Sequence, residues 1–154
     1  MFYLLFLAIF LTAVSSSNMP NKFTKTTKIL NIGHLPGHTM GKCTILNANG
    51  FPDVESMLCE NVPVEEIKTK LKSNPNSMFH VGGAMMQGFP DLMAELLAYI
   101  ESDCKSILVH KTVKADFDEG IPFPPTEEQV NKSALNICLR YLAEGKEWPS
   151  SDEC

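Results

Sequence analysis

No Cys-x-x-Cys pair occurs in this chain, there is no Gly-x-Ser-x-Gly elbow, and no glycine loop ends in Lys-Ser or Lys-Thr. The first absence disfavours a zinc ribbon and a thioredoxin-like redox site. The other two remove local signatures of serine hydrolases and of nucleotide-phosphate binding. A basic excess is missing as well. The formal net charge is -5, whereas a nucleic-acid partner calls for a cationic patch that neutralises phosphates. No internal repeat and no low-complexity tract is present. A spanning helix needs about 20 apolar residues, and no run in the chain reaches that length.

What is present begins at the first residues. Phe2 to Val14 is apolar apart from Thr12, and Ser15-Ser16-Ser17-Asn18 follow. That is the length of a signal-peptide core followed by small residues suited to cleavage, although no Lys or Arg precedes it. The expectation is a leader over residues 1–16, removed after Ser15, Ser16 or Ser17, giving a secreted, extracellular protein with no membrane span after cleavage. About 138 residues remain, the size of one domain. Lys22, Lys25, Lys28 and Lys42 make the early part basic, while Asp116, Asp118, Glu119, Glu127 and Glu128 make a later segment acidic. Both read as solvated surface.

Five cysteines follow the leader. In an exported chain they should pair where geometry permits, so Cys43, Cys59, Cys104 and Cys138 are candidates for two disulfides. Sequence does not choose among the pairings, although a Cys104–Cys138 bridge between two apolar helix faces is one of them. An odd count leaves one thiol over. Cys154, after Ser150-Ser151-Asp152-Glu153 at the terminus, is the candidate for that role and for cross-linking a dimer.

Helical periodicity is clearest near the C-terminus. Thr126 and Gln129 form a capping-box pattern, and Val130, Ala134, Ile137, Cys138 and Tyr141 share one face up to the stop signal Gly145. This predicts a helix over 127–144. Pro90 and Asp91 open a second, over about 90–108, whose last stretch is β-branched enough to be a strand instead. Shorter helices are expected over about 63–72, as a turn within 53–59, and from Ser77 through Met86 despite Gly82 and Gly83. Residues 17–50 carry four glycines and no sustained apolar period; they read as an irregular N-terminal arm in which Ile29, Leu30 and Ile32 form at most one short strand. The predicted architecture is mainly α, one disulfide-stabilised domain of four or five helices over 51–154, packed with the arm.

Chemistry-bearing patterns are sparse. His34 and His38 stand four apart, but the zinc-protease pattern also needs a glutamate beside the first histidine, and Leu35-Pro36 argue against a helix there. Asp116, Asp118 and Glu127 stand at positions one, three and twelve of a calcium loop whose required sixth glycine is Ile121. No metal and no cofactor is expected. Asn131-Lys132-Ser133 is an N-glycosylation sequon. Met85, Met86 and Met93, with Phe79, Leu92 and Leu96, form an adaptable apolar cluster suited either to a ligand lining or to ordinary core. The favoured function is a secreted non-enzymatic binding protein for an apolar small molecule or an extracellular protein. The alternative is a secreted, hydrolase-like enzyme whose site is assembled from residues distant in sequence.

Overall fold

The computed structural model describes residues 21–151 and residue 154, so the expected leader lies outside the described residues. The fold is α/β rather than mainly α. Four short strands, β1 (Ile29–Gly33), β2 (Val54–Leu58), β3 (Met78–Val81) and β4 (Leu108–Lys111), form one sheet. Every neighbouring pair is parallel, in the order β2-β1-β3-β4, with Ile29 aligned to both Val54 and Met78, and Met78 to Leu108. Parallel strands need crossovers. Helices supply them: α1 (Pro36–Ala48), α2 (Val64–Ser73), the single turn α3 (Met85–Gly88) and α4 (Pro90–Asp103), with α5 (Glu127–Glu144) closing the chain.

Burial on both faces explains why the sheet was not legible. All residues of β1 and β3 are buried, so the apolar–polar alternation of a half-exposed strand is absent. On one face Leu30, Ile32, Phe79 and Val81 pack with Ile67, Leu71, Met93, Leu96 and Ile100 of α2 and α4. On the other, Ile29, Met78 and Leu108 pack with Leu46 of α1 and with Leu135 and Ile137 of α5. Side chains alternate across a strand, so successive residues of β1 and β3 feed opposite cores. The expected helix over 77–86 is therefore β3 followed by the start of α3, the expected turn within 53–59 is β2, and α4 stops at Asp103 before β4.

The expected irregular arm contains β1 and α1. Pro36 occupies the first turn of α1 after Leu35 in extended conformation, where a missing N–H costs nothing. The glycines that masked this helix pack it. A Cβ on Gly37 or Gly41 would collide with Glu127 or Asn131 of α5, so the pair brings α1 against α5. In α5, Gln129 N–H donates to Thr126 Oγ1 at 3.3 Å, Thr126 N–H donates to Gln129 Oε1 at 2.8 Å, and Gly145 ends the helix at φ 62°. This left-handed conformation favours glycine.

The cysteines pair differently from expectation. Cys104 and Cys154 form one disulfide, while Cys43, Cys59 and Cys138 are free thiols. Cys154 is thus engaged within the chain rather than being the odd cysteine or a dimer link. The Cys104–Cys138 pairing fails because the two residues belong to cores on opposite faces of the sheet. Burial pushes the Cys138 thiol up to about 12, which leaves it protonated and inert. No helix among the described residues is long and apolar enough to cross a membrane.

Candidate functional site

The strand order fixes where a site forms. From β1 the chain crosses to β2 on one side and then returns to β3 on the other, so the β1 and β3 loops diverge. In parallel sheets such a switch point opens a crevice at the carboxyl ends of the strands. Here the crevice encloses about 700 Å³, within the range of small-molecule sites. Gly33 and His34 leave β1 into it, Gly82 and Gly83 leave β3, and Thr112 and Val113 leave β4. A Cβ on Gly33 would overlap the Thr39 side chain, so glycine is what lets the first turns of α1 close over the strand end.

One face of α1 presents Leu35, His38, Thr39 and Lys42 to the crevice, at the three- and four-residue spacing of neighbours on a helix. Leu35 cannot cap the helix, and no side chain does. The first turn of α1 already faces a carboxylate on its other side, where Glu127 of α5 packs against Gly37. The far wall is apolar, made by Val113, Phe117, Phe123, Pro124, Pro125 and Val130. Phe117 and Phe123 meet edge-on at 5.3 Å.

The charge in this crevice is one-sided. His34, His38, Lys42 and Lys114 line it, and no Asp or Glu does. Lys42 is the least ordinary of the four. Only 2% exposed, it has no carboxylate partner among the described residues, and burial pushes its ammonium down to about 8 from the usual 10.5. A buried cation without a counterion is costly. The early lysines read together as solvated surface therefore separate: Lys28 pairs with Asp53 and Glu55, whereas Lys42 turns inward.

Behind Lys42 lies a buried polar network. Asn31 Nδ2 donates to Thr39 O at 3.0 Å and to Ser56 Oγ at 3.2 Å, leaving its Oδ1 as the acceptor for His80 Nδ1–H at 3.0 Å. The His80 lone pair therefore sits on Nε2, 3.3 Å from Thr112 Oγ1. Burial first, then the charges of Lys42 and His110, hold the His80 pKa well below its ordinary value, so His80 stays neutral. His110 stacks on it at 5.9 Å and places Nε2 2.7 Å from Asp116 Oδ2 and Nδ1 3.0 Å from the Tyr141 hydroxyl. Asp116 also accepts from Val113 N–H at 2.9 Å and from Arg140 Nη2 at 3.1 Å. Burial opposes its ionisation, but these partners outweigh it and lower the Asp116 pKa. The network thereby anchors the Val113 wall. Asp116 is thus committed inside the protein, away from the calcium-loop pattern.

The residues singled out from sequence are dispersed. Phe79, Met85, Met93 and Leu96 are wholly buried, Leu92 is partly buried, and Met86 is 37% exposed. Of the six, only Met85 borders the crevice. His34 and His38 both line it, with the His34 ring 5.4 Å from Phe89. Among the described residues no three metal-ligating side chains cluster. The crevice residue that sequence reasoning missed is Lys42. Its signal was an apolar run ending in Gly33, followed by Pro36 at a first helical position and a lysine two turns on.

The sequon is occluded. Asn131 Nδ2 donates to Gly37 O at 3.3 Å, its Oδ1 is buried, and Ser133 is 1% exposed. A glycan on Asn131 would separate α1 from α5. Chain produced in a eukaryotic secretory pathway should therefore carry no sugar there and keep its mass after endoglycosidase treatment. A glycopeptide containing Asn131 from the folded product would contradict this packing.

Comparisons with known protein families, with curated proteins and with solved structures give no match for this chain, so the case for function rests on the crevice itself.

Proposed function

We propose that this chain is an exported protein that binds a small organic acid with an apolar body in the crevice at the carboxyl ends of β1, β3 and β4. One observation carries the reading: a chain of net charge -5 lines this crevice with four basic side chains and no acidic one. An acid group beside Lys42 supplies the counterion that the fold omits. Charge-assisted hydrogen bonds of this kind are stronger than neutral ones. The Phe117 and Phe123 wall suits the apolar part of the ligand. Export is supported by the apolar run over 2–14 and the serines after it, and a disulfide is compatible with an oxidising compartment.

Titration with a fluorescent fatty acid, cis-parinaric acid, tests this. The free acid is expected to bind saturably at micromolar concentration, and its methyl ester at least about tenfold more weakly, the loss of one charge-assisted contact. Binding of the acid requires the Lys42 proton, so affinity should decline as pH rises through about 8. Equal affinity for acid and ester would refute the anionic part of the reading. A folded protein that binds neither would refute the whole.

A further inference from the structure

We infer that Lys42 is a nucleophilic amine, and that the acids this crevice takes include 2-oxo acids, whose carbonyl condenses with Lys42 Nζ to form an imine. This inference rests on the crevice being the ligand site proposed above and goes beyond it by assigning a covalent step. Three features of the geometry carry it. Lys42 lies on the crevice face of α1, 2% exposed, so little water competes for its nitrogen. Its nitrogen makes no hydrogen bond or ion pair with any described residue, so the lone pair, once the proton leaves, is uncommitted. Gly82, which lines the crevice, lies beside the amine: a Cβ built on it would stand 3.5 Å from Lys42 Nζ, an ordinary contact distance. Desolvated lysines in apolar pockets are the ones that form Schiff bases.

The step balances within the site. The neutral amine attacks the carbonyl carbon, a carbon–nitrogen double bond replaces the carbon–oxygen one, and both amine hydrogens leave with the oxygen as water. No oxidant or metal is needed. The carboxylate of a 2-oxo acid is adjacent to the carbonyl, and the crevice that receives it is lined by His34, His38 and Lys114. The titratable groups around Lys42 are His80 behind it, His38 one turn back on the same helix, and His34 and Lys114 in the loops after β1 and β4. None is a carboxylate, so none holds the ammonium in its charged form. In the free protein at pH 7 a group titrating at about 8 has roughly a tenth of its population neutral, against about one part in 3,000 for an ordinary lysine.

Reductive trapping tests the inference on the intact protein. Phenylpyruvate is added with cyanoborohydride, which delivers hydride to the imine carbon, and the adduct is located by peptide mapping. 3-Phenylpropionate, the same acid without the carbonyl, is the competitor, and displacement of cis-parinaric acid by both compounds is measured in parallel. The expected result is an adduct concentrated on Lys42 at pH 7, suppressed at least about tenfold by saturating 3-phenylpropionate, with the Lys42 share falling toward pH 10 as surface lysines deprotonate. Lys42→Arg and Lys42→Met, each checked for folding by thermal unfolding, should lose this adduct. Displacement without any Lys42 adduct would overturn the inference and leave the binding reading standing. An adduct spread over surface lysines, with no enrichment at Lys42, would overturn it equally. No displacement, no adduct and no fatty-acid binding would overturn both.

Discussion

Replacing Lys42 with methionine is expected to stabilise the protein at neutral pH while removing its affinity for acids. Lys42 titrates at about 8 in the fold and at 10.5 when solvated. At about 1.4 kcal/mol per pH unit, that difference is a penalty of about 3 kcal/mol on the folded, charged form. Below pH 8 both states hold the proton and the folded state bears the full penalty. Between about 8 and 10.5 the folded state has released its proton while the unfolded chain retains it, so stability rises with pH. Above 10.5 both are neutral and the penalty is gone. Methionine follows the lysine stem without a charge. The variant should therefore gain about 3 kcal/mol at pH 7, measured by denaturant unfolding, and that gain should vanish as pH approaches 10.5. Taking wild-type and variant differences at each pH removes the opposing alkaline trends of Cys138 and Tyr141, whose pKa values are raised. Destabilisation by Lys42→Met at pH 7 would show that the ammonium has a favourable partner in the fold. More stable and less able to bind is the signature of a residue kept for function.

Asp116 carries the opposite expectation. It is 2% exposed and accepts from His110, Val113 and Arg140. Asp116→Ala leaves His110 and the Val113 N–H without their acceptor and releases Arg140, a loss in the class of broken buried charge pairs, about 3–5 kcal/mol. Asp116→Asn retains shape and one acceptor and should cost less. The aspartate pKa is lowered in the fold, so its contribution is present above the ordinary value of 3.8 and is lost as pH falls through the folded value. The acid limb of the stability curve should accordingly be shallower in Asp116→Asn. Because Asp116 holds Val113, and Val113 walls the crevice, both variants should also bind cis-parinaric acid less tightly. A loss of no more than about 1 kcal/mol in Asp116→Ala would mean that the network is surface decoration rather than support.

Legibility followed the physics of each element. α5 was readable in full because Thr126, Gln129 and Gly145 mark its ends in local chemistry, and its apolar residues mark one face. α2 and α4 were readable for similar reasons, from acidic first turns and Pro90. The strands were not. Met78-Phe79-His80-Val81 is buried on both sides, so four residues carry neither a period of two nor a period of 3.6, and the segment joined the helical pattern of Met85 and Met86. α1 was hidden by the features that pack it, Gly37 and Gly41 against α5. With β1 and α1 unrecognised, Lys42 had no reason to be distinguished from Lys22, Lys25 and Lys28. His34 and His38 drew attention by spacing alone, and they do reach the crevice, though as part of a basic lining without a third ligand. A parallel sheet assembles its site from loops far apart in the chain, so the pairing of β1 with β3 was the missing information.

The most direct test of the central claim is the titration of Lys42 itself, followed by NMR of its side-chain carbon and nitrogen in the free and ligand-saturated protein. The free protein should show a midpoint near the value of about 8 set by burial. A saturating carboxylic acid without a carbonyl, such as 3-phenylpropionate, should move that midpoint upward by at least about one unit, because the bound anion favours the ammonium. A Lys42 midpoint unchanged by an acid that demonstrably binds would contradict the assignment of the crevice and of Lys42 as its anion-binding residue.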